Sequence, residues 1–266
     1  GLLVDSGAVK SVDDPVWKYF PEWRQGKKEG IKIRNLMNHT SGLQALRNTD
    51  DIYRAPDFVR LALSAELAEA PGEAFFYNNK AVNLIPAFSL KTIGKPMDKL
   101  IADRIFVPLG IKDFHFDLDD AGNMHGMSGL RIHPLDFAKI GQMLLDGGTS
   151  HRERIVSKEW IAESTMKPSQ ALENDCALLW WIRYEQLQRV IQPGSVEALV
   201  RAGWSSDRIA KMGIIDRRRW PKPELYKLWE GRTEEQMALE QILRGAGKSP
   251  IDEGSGKKIG YCADGY

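Results

Sequence analysis

The residues best placed to do chemistry lie in Pro71-Gly72-Glu73-Ala74-Phe75-Phe76-Tyr77-Asn78-Asn79. A Pro-Gly turn delivers an aromatic pair, then a Tyr-x-Asn at the mouth of a helix. A phenol titrates near ~10, so Tyr77 can serve as a general base only where nearby cations favour its phenolate. Asn79, two residues on, can orient such a cation or hold a substrate amide. A plain structural reading stands beside this one: Tyr77 as a half-buried anchor and Asn79 as a helix N-cap. Two Ser-x-x-Lys matches, Ser164-Thr165-Met166-Lys167 and Ser255-Gly256-Lys257-Lys258, offer a hydroxyl and an amine. The first closes an amphipathic helix and the second falls in a Gly/Ser/Lys loop, and neither context activates a nucleophile.

Other chemistries find no support. The sequence has no His-Glu-x-x-His, no Cys-x-x-Cys, no phosphate-binding or dinucleotide-binding glycine loop and no Gly-x-Ser-x-Gly elbow. No metal or organic cofactor is implied. Asp117-Leu118-Asp119-Asp120-Ala121-Gly122 resembles a calcium loop, but Ala121 stands at a ligand position and the closing Glu is missing, so it reads as a polar turn. His39 reads as holding a helix end, Trp180-Trp181 as core, and Arg217-Arg218-Arg219 as a solvated face. Cys176 and Cys262 are too few for a disulfide framework; two thiols are the default reading, and a pairing between the two stays open.

The elements that must position Tyr77 and Asn79 are mostly helical. Ile31–Asn38 carries apolar residues at helical spacing and runs into His39-Thr40-Ser41-Gly42-Leu43. Pro56-Asp57-Phe58 opens a second helix, and a third follows Asn79 through Val82, Leu84, Ile85 and Phe88 to about Gly94. Pro96–Phe106 and Pro134–Leu145 are helices, the latter with Leu135, Phe137, Ile140, Met143 and Leu144 as its apolar face. Ser157–Met166 is a helix with a Ser N-cap, Phe114–Leu118 a short strand, Asp119–Gly129 a loop and Ala177–Tyr184 a buried strand. From about Glu185 to Gly256 the chain becomes more charged, and it reads as a helical insertion without a core of its own.

Composition bounds the partners. Of 266 residues, 42% are hydrophobic and 27% charged, which is globular and excludes disorder. Lys and Arg (37) balance Asp and Glu (36), so no electrostatic case exists for nucleic acid or an anionic membrane. No apolar run approaches the ~18–20 residues of a membrane span. The partner expected is a small molecule; oligomeric state is not legible.

The order of the landmarks resembles the serine β-lactamase and penicillin-binding-protein superfamily, in its class C-like and esterase-like branch. Asp13-Asp14-Pro15 with Phe20-Pro21-Glu22 is similar to the segment after that family's nucleophile helix. Ile31-Lys32-Ile33-Arg34-Asn35-Leu36-Met37-Asn38-His39-Thr40-Ser41-Gly42-Leu43 is close to its I-R-x-L-L-x-H-T-S-G-L block. Pro71-Gly72-Glu73 with Tyr77-x-Asn79 matches its second catalytic motif. Pro108-Leu109-Gly110-Ile111 and Gly129-Leu130-Arg131 with Asp136-Phe137-Ala138-Lys139-Ile140-Gly141 match two later blocks.

The resemblance implies an α+β fold of the β-lactamase/transpeptidase type, here mostly the helical region with an incomplete antiparallel sheet. It implies one domain over 1–266, cut at both ends, with 185–256 inserted. Its Ser-x-x-Lys nucleophile motif should precede Gly1, since Gly1-Leu2-Leu3-Val4-Asp5-Ser6-Gly7 reads as the close of an apolar helix; both internal matches come after Tyr77, in the wrong order. The third motif falls at Ala263-Asp264-Gly265, where Ala263 stands at the usually cationic position and the strand backbone could supply an oxyanion donor. The activity implied is acyl-enzyme hydrolysis of an amide or ester by the full-length protein, an esterase or peptide hydrolase ahead of a true β-lactamase, with this stretch alone inactive. The family's usual setting is the periplasm or cell exterior. Two rivals are a non-catalytic homologue that binds peptide or peptidoglycan-like ligands, and an unrelated helical interaction protein.

Overall fold

The computed structural model describes residues 1–45, 49–165, 172, 176–214, 219–248 and 251–262. Its described residues form two compact units, one of residues 1–165 with Ala177–Trp180, the other of Trp181–Cys262 with Leu172 and Cys176. The architecture is α+β, with short helices and small antiparallel sheets. Among the described residues no helix is long and apolar enough to cross a membrane.

In the first unit, α1 (Leu2–Asp5) ends on Gly7 in the left-handed region (φ +74). Three 3₁₀ turns lead to α2 (Ile33–Met37), then α3 (Asp50–Tyr53), α4 (Phe58–Ser64), α5 (Asn79–Val82), α6 (Ala87–Ile93) and α7 (Met97–Ile101). The helix expected from Asn79 to Gly94 is two helices: Pro86, which has no N–H and fixes its own φ, stands between them and caps α6. Gly94 closes α6 at φ +67. A π-helical turn, Ala102–Phe106, follows α7.

Strands β1 (Phe114–Phe116) and β2 (Leu130–Ile132) pair antiparallel with Phe114 opposite Ile132 and Phe116 opposite Leu130. Then come α8 (Pro134–Leu145), the hairpin β3 (Thr149–Ser150) with β4 (Glu153–Arg154), and α9 (Lys158–Thr165). Trp160 N–H donates to Ser157 Oγ at 3.1 Å, the expected N-cap. On α8 only the later part of the apolar stripe is covered. Met143 is buried and Ile140 and Leu144 pack beside it, while Leu135 (72% exposed) and Phe137 (57% exposed) have no described element over them.

The core beside α5 is built on Phe20, Trp23, Ile31, Leu36, Leu84 and Phe88, with Ala81 of α5 in the same cluster, all nearly inaccessible. Phe88 meets Phe20 and Tyr19 edge to face, with centroids 5.1 and 5.2 Å apart. Trp23 satisfies its indole N–H on the Leu63 carbonyl at 2.9 Å, which fixes the end of α4. Arg34 grips Asp13 through two bonds of 2.9 and 3.0 Å and Glu163 through a third of 2.6 Å, tying α2 to the preceding segment and to α9.

In the second unit, β5 (Trp181–Val190), α10 (Ser195–Arg201), α11 (Ser206–Lys211), β6 (Arg219–Pro221), α12 (Lys222–Trp229), α13 (Thr233–Gly245) and β7 (Ile251–Cys262) follow in order. The sheet order is β6-β5-β7, all antiparallel, with Trp181 opposite Cys262 and Val190 opposite both Ile251 and Arg219. Three sequence expectations are corrected here. The strand expected at Ala177–Tyr184 begins only at Trp181, because Leu179 takes a left-handed backbone (φ +61) that no strand accommodates. Ser255–Lys258 lies in β7, not in a loop, since pairing with β5 overrides the weak strand propensity of Gly and Lys. The stretch also has a core of its own, with Ile191, Leu199, Met212, Leu225, Leu239 and Leu243 buried together. Apolar residues spread singly over short helices hid that cluster in the sequence. Cys176 is buried.

Candidate active site

Tyr77 lies near the end of a segment, residues 74–78, that belongs to no helix or strand, and Asn79 opens α5. What holds that segment is the His-Thr-Ser-Gly-Leu block. The two stretches run antiparallel: Leu43 bridges Leu67, the Ala68 and Glu69 N–H groups donate to the Gly42 carbonyl at 2.8 and 3.2 Å, Gly72 N–H donates to Thr40 at 2.8 Å, and Phe76 N–H donates to His39 at 2.9 Å. At Gly42 the backbones come so close that a Cβ would sit 2.3 Å from the Glu69 carbonyl oxygen, and φ is +72. Only glycine fits there on both counts. Thr40 is fixed in turn by Asn35 Nδ2 at 2.9 Å and by its own hydroxyl donating to Asn38 Oδ1 at 2.6 Å.

The N-cap of α5 is Asn78, not Asn79. Asn78 is buried, its Oδ1 accepts from Ala81 N–H at 3.1 Å, and its Nδ2 donates to the Leu43 carbonyl at 2.9 Å. That corrects the structural reading of Asn79 as the cap and leaves its carboxamide for the cavity. The signal was present in the sequence as two adjacent asparagines; capping needs the first, because the Oδ1 must reach back over N2 and N3.

His39 lies beneath. Its imidazole is 4% exposed, its Nδ1 accepts from Asn78 N–H at 3.2 Å, and its ring lies 4.4 Å from the Tyr77 ring at 31°. An accepting Nδ1 puts the proton of the neutral ring on Nε2. Burial lowers its pKa from 6.5 to about 4. Lys80, next after Asn79, is also buried; burial lowers its ammonium pKa, and among the described residues it forms no ion pair.

Two further walls complete the site, and the sequence signalled neither. Asn83 Oδ1 on the far side of α5 accepts from the Gly126 and Met127 N–H groups at 2.8 and 3.3 Å. Gly126 approaches so closely that a Cβ would be 2.6 Å from the Val82 carbonyl oxygen. This brings Met127 and Ser128 over Tyr77. From α3, Tyr53 reaches across, its hydroxyl 2.7 Å from Ser128 Oγ. The loop behind is fastened by Asp119, whose carboxylate accepts from Phe58 N–H at 2.7 Å and from Asn123 N–H at 2.8 Å.

The result is a cavity of about 210 Å³ lined by Thr49, Tyr53, Tyr77, Asn79, Met127 and Ser128. It joins hydroxyls to a carboxamide, and none of these six side chains carries a charge at neutral pH. A larger cavity of about 320 Å³ lies elsewhere in the unit, among Leu2, Val4, Ile33, Met37, Phe88 and Trp160. It is apolar and gathers no set of groups that could move a proton. Ser164 borders it, with its hydroxyl on the Ile161 carbonyl at 3.4 Å. Ala263, Asp264 and Gly265 lie outside the described residues, as does Lys167.

The short-helix α+β fold is of the β-lactamase-like class. The Beta-lactamase family model matches residues 1–195, and the chain belongs to that family. A β-lactamase of Escherichia coli (strain K12) is 29% identical over 109 residues, which are 41% of this chain and 29% of that protein. The D-alanyl-D-alanine-carboxypeptidase/endopeptidase AmpH of the same organism is 34% identical over 122 residues, 42% of this chain and 31% of that protein. The matches thus cover less than a third of the length of these curated relatives. The octameric penicillin-binding protein homologue from Pyrococcus abyssi superposes with a TM-score of 0.54 at 24% identity, over 68% of this chain and 49% of its own. That likeness is one of fold.

Proposed function

We propose that the full-length protein carrying this chain is a serine hydrolase that forms an acyl-enzyme on an amide or ester. The observation that carries this reading is the capping of α5 by Asn78, which leaves Tyr77 and Asn79 together on one uncharged, hydroxyl-lined cavity. In the family's motif order a Ser-x-x-Lys helix ahead of Leu2 supplies the nucleophile and the cation. With that ammonium beside it, the Tyr77 phenol loses its proton more readily.

The phenolate, or the lysine acting through it, takes the serine proton as Oγ attacks the substrate carbonyl. Asn79 holds the lysine and the substrate amide in register. Collapse of the tetrahedral intermediate expels the amine or alcohol, which takes that proton back. Water then repeats the cycle on the acyl-enzyme. Backbone N–H groups near Gly265 are the proposed oxyanion donors. Ala263 at the third motif's cationic position argues against reading a β-lactam carboxylate through that residue.

The test is labelling and turnover. The full-length protein should react with a fluorophosphonate, and Tyr77→Phe should lower turnover of an activated ester ~10²-fold or more, the usual scale for loss of a general base. Unchanged turnover would remove Tyr77 from the mechanism. Failure of the probe to react would favour a ligand-binding homologue.

A further inference from the structure

We propose that His39 is a positioning residue for Tyr77: it holds four successive residues, Phe75 to Asn78, and so sets where the phenol points. The proposal rests on the reading of Tyr77 as the catalytic phenol. The contacts are of four different kinds. The Phe75 ring stands edge-on to the imidazole, 5.9 Å away at 83°. The Phe76 N–H donates to the His39 carbonyl at 2.9 Å. The Tyr77 ring lies over the imidazole at 4.4 Å. The Asn78 N–H donates to Nδ1 at 3.2 Å. Residues 74–78 lie in no helix or strand, and these contacts tie them to His39.

The residue type follows from the task. A flat ring is needed to support the phenol, and an acceptor on that ring is needed for Asn78. Phe has the ring without the acceptor, and Asn has the acceptor without the ring. The backbone at His39 is left-handed (φ +59), a region that His and Asn enter more readily than most residues. His39 does not line the cavity, so it acts through Tyr77 and does not touch substrate.

The experiment compares His39→Ala, His39→Asn and the core variant Ile31→Val in the full-length protein, with ring-¹³C tyrosine and ¹⁵N labels. The Tyr77 ring signal is assigned by its loss in Tyr77→Phe. In His39→Ala that signal should move and broaden, and the Asn78 amide should exchange at least ~10-fold faster. Turnover should show kcat down ~10-fold or more with KM within ~2-fold, as expected for a misplaced group. His39→Asn should restore Asn78 protection while the Tyr77 signal stays displaced. Ile31→Val, a destabilised core with the bracket intact, should change none of these. An unmoved Tyr77 signal and a protected Asn78 in His39→Ala overturn the proposal, as does an equal kcat loss in Ile31→Val. Should His39→Ala not fold, an unmoved Tyr77 signal in His39→Asn overturns it alone. If Tyr77→Phe keeps full turnover, the catalytic reading fails, and the ring signal and amide exchange still judge the positioning.

Discussion

His39 makes the fold acid-sensitive by an amount that can be worked out. Its ring is buried and neutral, with a pKa lowered from 6.5 to about 4 by loss of water. Between those values the unfolded chain binds a proton at this site and the native chain does not. Stability is therefore full above pH 6.5 and falls as the pH drops towards 4. At about 1.4 kcal/mol per pH unit the loss reaches about 3 kcal/mol. Protonation would also turn Nδ1 into a donor facing the Asn78 N–H, which it now accepts at 3.2 Å. His39→Asn gives up the ring contacts, about 1–2 kcal/mol at neutral pH, but has nothing to titrate. The two stability curves should then cross near pH ~5–6, where the wild-type loss equals that deficit. The assay is urea unfolding at half-unit steps from pH 7.5 to 4.5, followed at amide signals of Leu36 and Leu84. The four other histidines cancel in the comparison. So do Asp13, held below the usual carboxylate range by its Arg34 hydrogen bonds, and Asp14, which Lys18 and Tyr19 hold low against the cost of its burial. Parallel curves for the two proteins would show that the His39 imidazole is hydrated and that the reasoning is wrong.

Two other outcomes follow from the walls of the site. Gly42→Ala forces a Cβ to within 2.3 Å of the Glu69 oxygen at a left-handed φ, and it should cost ~2–4 kcal/mol in thermal or urea unfolding. A loss under ~0.5 kcal/mol would mean the two backbones are not so close. Tyr53→Phe breaks the 2.7 Å hydroxyl contact with Ser128 but leaves Tyr77 in place. It should change KM severalfold while kcat stays within ~2-fold, and a kcat loss as large as that of Tyr77→Phe would put Tyr53 in the chemistry instead.

The parts of this structure that the sequence revealed are those whose contacts are local or whose motif travels as a block. α8 runs over the residues its apolar spacing and Pro134 predict, and α9 starts at the Ser157 cap. Tyr77 and Asn79 stand out because a Pro-Gly turn, an aromatic run and an asparagine pair fall together. The other half of the site was hidden because it arrives through tertiary contacts. Nothing near Tyr53 or Ser128 in sequence says that they meet, 75 residues apart, and nothing near Asn83 says that it receives the 126–127 backbone. The break at Pro86 was visible, but helical spacing on both sides of it read as one run. The Ser255–Lys258 part of β7 was missed because its glycine and lysines gain their strand geometry only from β5.

The distribution of unusual backbone says more about the block His39–Leu43 than its residue types do. His39 (φ +59), Gly42 (φ +72) and Gly72 (φ +86) all take left-handed conformations along the one pairing that ends at Tyr77. Leu179 (φ +61), a bulky residue for which this region is costly, donates its N–H to Met37 at 2.9 Å, just behind the same block. A non-glycine residue in this region costs of order 1–3 kcal/mol and persists only where its surroundings over-determine it. Here they do: Thr40 is held by Asn35 and Asn38, Gly42 by Ala68 and Glu69, and His39 by four residues in turn. A loop that merely crossed the surface would relax out of such a conformation. The block is therefore better understood as a rigid last for the Tyr77 segment than as a source of catalytic groups. In that role the conformations of His39 and Gly42 matter more than the polarity of the side chains between them.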